Sequence, residues 1–148
     1  MEMETPDSVD IYKSDCLSVT ADIGEHTCTI MYRVLETPTR AKMEEILTVS
    51  LKFIRFYSSK KVILIFKSKK AGLKMPCMNS ILYIATFFMQ NHKEVEAKVK
   101  NVCIRVKKMD DDVTKAMQAF KTIYSVPFPL LVTDNKNDFE DAIKRLND

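Results

Sequence analysis

The run Val62-Ile63-Leu64-Ile65-Phe66 constrains the fold of this chain more than any other stretch. Four of its five consecutive apolar residues are β-branched or aromatic, so it reads as a strand buried on both faces. Lys67, Ser68, Lys69, Lys70 and Gly72 then make a polar, turn-like passage, and Pro76 disfavours helix at the residue before it. From Ser80 the apolar residues Ile81, Leu82, Ile84, Ala85, Phe88 and Met89 recur at helical spacing. Asn79 or Ser80 is therefore expected at or near a helix N-cap, at the outer end of a buried strand. Ligands tend to meet open α/β sheets at such ends, and a site is expected here.

The remaining elements follow from local patterns. Asp10 to Lys13 reads as a short edge strand, while Cys16 to Ala21 and Thr27 to Tyr32 alternate around the Asp22-Ile23-Gly24-Glu25 turn as a β-hairpin. Thr37 and Pro38 are expected to cap and open a first helix, with Met43, Ile46, Leu47, Phe53, Ile54 and Tyr57 on its inner stripe. The second helix should run from about Ser80 to Asn91, with an extension towards Lys98. A strand over Asn101 to Val106 comes next. Asp110, Asp111 and Asp112 suit the start of a third helix better than a cation site. Pro127 to Val132 reads as a last short strand, and a closing helix begins near Asn137, with Glu140 completing a capping box. The expected class is α/β: an N-terminal hairpin, then alternating helices and strands in a mixed sheet, with helices mainly on one face.

At 148 residues and 17.1 kDa the chain suits one domain, expected over residues 10–148 behind a loose tail at 1–9. Hydrophobic residues at 46% and charged residues at 29% exclude a disordered composition. No apolar run approaches the roughly 20 residues of a membrane span. The acidic start Met1-Glu2-Met3-Glu4-Thr5-Pro6-Asp7 lacks a signal-peptide core, so a cytoplasmic location is expected.

Net charge is only +3, which does not demand nucleic acid as a partner. Lys67, Lys69, Lys70 and Lys74 form either a solvated loop or a weak anion or nucleic-acid surface. Cys16, Cys28, Cys77 and Cys103 show no paired spacing and suit reduced, packing roles. His26 and His92 lack neighbours at metal-ligand spacing, so neither a metal nor another cofactor is expected. With two glycines in all, the chain carries no phosphate-binding glycine loop, dinucleotide fingerprint or nucleophile elbow. The expectation is a protein that is not an enzyme.

The order of elements, with Ser80 opening the helix after the central strand, resembles the STAS domains of the SpoIIAA-like anti-sigma-factor antagonists. There a serine at this place is phosphorylated by a partner kinase, and the phosphate switches partner binding. That family's Asp-Ser-Ser-Gly-Leu is replaced here by Met78-Asn79-Ser80-Ile81-Leu82. A closer likeness is to the SiaC family of STAS-like regulatory phosphoproteins, whose Asn-Thr pair at this helix start is similar to Asn79-Ser80. The strand Val102 to Val106, the acidic turn Met109 to Asp112, the helix from Ala116 to Tyr124 and Val126-Pro127-Phe128 look similar too. Thr5-Pro6-Asp7 and Thr37-Pro38 look similar to its N-terminal Thr-Pro and its later Ser-x-Pro-Glu-Asn segment, although the glycine of its Gly-x-Ser-x-Pro segment is missing.

The resemblance implies a non-catalytic interaction module phosphorylated at Ser80. It would bind a kinase, phosphatase or effector enzyme through Met78, Asn79 and Ser80; from their charge, Lys69, Lys70 and Lys74 join that surface if the preceding loop folds back. A phosphate on Ser80 would bring nearly two negative charges to the helix N-terminus, a favourable place for an anion. Without a phosphate, Ser80 has only a capping role. Two alternatives stand beside this reading: an anionic-surface or nucleic-acid binder using the lysine loop, and a small lipid- or ligand-binding module with Phe87-Phe88-Met89 lining a pocket.

Overall fold

Alternation of apolar side chains in the hairpin and continuous apolarity in the central strands build a single six-stranded sheet. In this computed structural model the described residues are 7–36, 38–57, 60–68 and 78–146. The strands are β1 (Asp7–Lys13), β2 (Leu17–Ile23), β3 (Thr27–Val34), β4 (Lys61–Ser68), β5 (Val99–Arg105) and β6 (Leu130–Thr133). The helices are α1 (Arg40–Phe56), α2 (Met78–Gln90), α3 (His92–Lys98), α4 (Asp111–Ile123) and α5 (Lys136–Leu146). Strand order in the sheet is the order in the chain. The β1-β2-β3 pairs are antiparallel, and β3 to β6 are parallel. This is the α/β class with a mixed sheet that the pattern predicts.

Successive parallel crossovers that advance in one direction place their helices on one face. The larger core lies there, where Leu17, Val19, Ile30, Tyr32, Val62 and Leu64 meet Ile46 and Ile54 of α1, Ala85 of α2 and Val95 of α3. The reverse face of β4 and β5 presents Ile63, Ile65 and Cys103 to α5, which buries Phe139 against them. The double-sided burial expected for β4 is thereby met, and four of the five helices among the described residues share the first face. Full burial of a side chain such as Ile63 or Ile65, both at most 1% exposed, contributes about 1.5–3 kcal/mol. The hairpin turn closes through Gly24, whose N–H donates to Thr27 O at 2.8 Å. A Cβ on Gly24 would stand 3.1 Å from that same oxygen.

Several boundaries differ from expectation. β1 begins at Asp7, three residues before the expected start. The cap of α1 is Thr39, which accepts from Lys42 N; the cap expected at Thr37 falls outside the described residues. Leu35 and Glu36 still donate to Cys16 O, so the chain needs further residues to cross from sheet to helix layer. The helix after β4 breaks at Asn91 and restarts as α3. β6 excludes the Pro127–Pro129 segment, since proline donates no ladder bond. α5 is capped by Asn135, whose Oδ1 accepts from Asp138 N at 3.0 Å, in place of the Asn137–Glu140 box. The acidic turn behaves as expected: Asp110 caps α4 by accepting from Val113 N at 3.1 Å.

Candidate functional site

The expected site lies at the C-terminal edge of the parallel strands, where β4 ends and α2 begins. Met78, Asn79 and Ser80 form the first three residues of α2, so Ser80 stands inside the first turn instead of at the cap. Lys69, Lys70, Lys74 and Cys77 lie outside the described residues. No acidic residue occupies the first turn of α2. One turn beyond Ser80, the ring of Tyr83 carries the guanidinium of Arg40 at 5.0 Å, a cation–π contact that joins the starts of α1 and α2. Among the described residues the strand order never reverses, so the sheet offers no switch-point crevice of the doubly wound kind there.

Behind this edge, between the sheet and α1, α2 and α4, lies a cavity of about 220 Å³. Tyr32 and Phe66, stacked with ring centroids 4.4 Å apart, belong to its floor; Met43, Ile84, Phe88 and Met117 are among its helical walls. None of its described lining residues is charged. The Phe87-Phe88-Met89 stretch divides: Phe88 lines this cavity, Phe87 a smaller one of about 40 Å³, and Met89 is exposed.

The opposite face of the same edge carries a feature with no counterpart in linear motifs. Register pairs Arg33 of β3 with Lys67 of β4, and the position after the Phe66–Ile104 pair brings Lys67 beside Arg105 of β5. All three share strand parity with Met31, Ile65 and Cys103, and so project on the α5 side. Arg33 Nη1 donates to Thr20 Oγ1 at 3.0 Å. Arg105 Nε is buried and has no acceptor among the described residues. Burial, with the positive charges of Arg33 and Arg105, holds the Lys67 amine below the usual lysine range; Glu140 of α5 partly opposes this.

Elsewhere, His92 bridges Tyr124 OH, 3.1 Å from its Nδ1, and Glu96, 2.8 Å from its Nε2. Burial and the Glu96 carboxylate raise the Tyr124 hydroxyl above its ordinary range. Cys16, Cys28 and Cys103 are free and buried. Among the described residues no three His, Cys, Asp or Glu side chains converge as a metal site, and no helix is long and apolar enough to cross a membrane. No family model, curated protein or solved structure matches the chain.

Proposed function

We propose that this chain is a STAS-like, non-catalytic regulatory module of the cytoplasm. It binds a partner protein at the C-terminal edge of its parallel strands, under the control of a phosphate on Ser80. The supporting observation is the setting of Ser80. It stands in the first turn of a 13-residue helix with no acid in that turn, and Arg40 lies over Tyr83 one turn on. The free N–H groups of the first helical turn favour a phosphoserine dianion there. The Asn79-Ser80 pair and the order of elements, similar to SiaC-type phosphoproteins, point to a kinase, phosphatase or effector enzyme as partner.

Intact-mass and peptide mass spectrometry on protein from its native cells tests the reading. The expected result is a substantial phosphorylated fraction at Ser80, with a partner captured differentially by Ser80→Ala and Ser80→Asp baits. A Ser80 peptide that is well covered and never modified, in growth and under stress, overturns it.

The cavity favours a second reading, uptake of a small apolar ligand. A dry apolar cavity of roughly 150 Å³ suffices to take up benzene, and the one here is about 220 Å³. Thermal shift with benzene and with decanol separates the readings, since neither probe depends on Ser80. No stabilisation by either compound removes this second reading.

A further inference from the structure

Three cations on neighbouring strands repel one another. Parallel strands lie about 4.8 Å apart, so Arg33 and Arg105 flank Lys67 within a span of about 10 Å. Among the described residues no carboxylate is in ion-pair contact with any of the three; Glu140 reaches Lys67 only through its field. Stability alone does not explain such a row, because like charges held side by side on a sheet are unfavourable. An anion seated among them would turn the repulsion into attraction.

The donors are of the right kind. A guanidinium offers five N–H groups in a planar fork that matches phosphate oxygens. Arg33 spends one N–H on Thr20, and Arg105 holds a buried Nε–H with no acceptor among the described residues. A buried donor left unpaired costs about 1–3 kcal/mol, which an incoming oxygen would recover. The register also sets hydroxyls at both ends of the row, Ser18 opposite Arg33 and Thr133 opposite Arg105.

We propose that Arg33, Lys67 and Arg105 form a binding site for the phosphoryl group of a small molecule, on the sheet face that α5 only partly covers. The site is compact rather than a track. α5 bounds it on one side with Glu140, and exposed Asp22 lies further along the same face on β2. A long polyanion would run against both acids, whereas a phosphate or pyrophosphate group would face only the field of Glu140, against three cations. The site lies on the sheet face opposite α2, so it stands independently of the Ser80 reading.

Calorimetric titration of the full chain with sodium phosphate and with sodium pyrophosphate, at ionic strength matched with chloride, tests this. One saturable site is expected. Arg105→Gln should weaken it at least about tenfold, the loss of one charge-assisted contact. Arg33→Gln combined with Arg105→Gln should abolish it, while Lys107→Gln with Lys108→Gln, on exposed positions past β5, should leave it intact. A measurement on the unaltered protein guards against variants that fail to fold: pyrophosphate should protect Lys67 from acylation, read by peptide mass spectrometry. Absence of saturable binding overturns the proposal. So does equal affinity in the double arginine variant, or a preference for single-stranded oligonucleotide that this variant retains.

Discussion

Tyr32 donates its hydroxyl hydrogen to Ser50 Oγ at 2.8 Å, joining β3 to α1 inside the main core. Both residues are almost fully buried. A polar pair there is tolerated only because each group satisfies the other. Ser50→Ala should therefore strand the tyrosine hydroxyl and destabilise the fold by about 1–3 kcal/mol. Adding Tyr32→Phe should recover part of that loss. Urea denaturation of the two single variants and the double variant closes the cycle, and strict additivity would show that the bond carries no coupling.

The Asp110 cap gives a second test. Asp110→Ala removes the acceptor for Val113 N and the carboxylate at the positive end of α4, and should cost about 0.5–2 kcal/mol. Asp110→Asn keeps the acceptor and should cost less. The midpoint of chemical unfolding distinguishes them.

Packing around the cavity predicts opposite responses at two buried alanines. Ala116 of α4 lines the empty volume, whereas Ala85 of α2, wholly buried, does not. Ala116→Leu should be neutral or stabilising by about 1 kcal/mol as its added carbons fill space. Ala85→Leu should cost about 1–3 kcal/mol through overpacking. Thermal melts of the two proteins suffice.

Alkaline pH should weaken the fold. Burial pushes the Cys28 thiol from 9.0 up to about 11, a rise that Lys60 opposes and Asp22 adds to. Burial likewise raises the Tyr32 hydroxyl from 10.0 to about 12, against the bond to Ser50. The folded state holds both protons longer than the unfolded chain does. Their contribution is therefore full below about pH 9 and is lost as pH rises through 9–11 for Cys28 and 10–12 for Tyr32. Urea midpoints at about pH 8 and about pH 10.5 should differ, the latter lower, and Cys28→Val should flatten the early part of the fall.

Much of this fold was legible because burial leaves a local trace. The β4 run announces a strand covered twice, and the alternation in β2 and β3 announces a sheet with one polar side. Caps were less legible where two candidates compete. Thr37 and Thr39 flank the same proline, and the link from β3 back to Cys16 O, a tertiary contact, is what sets the longer crossing. Ser50 was missed on the α1 stripe because its burial depends on Tyr32, eighteen residues earlier. The start of α2 was found to within its first turn from Pro76 and the spacing that follows.

The basic row was hidden for a different reason. Arg33, Lys67 and Arg105 share no spacing along the chain, and only strand register brings them abreast. One trace was available: each follows an apolar residue near the end of a strand, in Tyr32-Arg33-Val34, Phe66-Lys67-Ser68 and Ile104-Arg105-Val106. Three parallel strands with that ending should be aligned before their lysines and arginines are assigned to solvent.

A sheet whose neighbours in space are also neighbours in the chain has a consequence for its making. Each strand can dock on the one translated just before it, so synthesis presents the strands in the order in which they pair. No early strand waits for a distant mate, and the exposed growing edge is always the newest one. The oldest edge is blunted by the irregularity between Asp10 and Tyr12 in β1, and the last strand to arrive has only four residues on which a stray chain could pair.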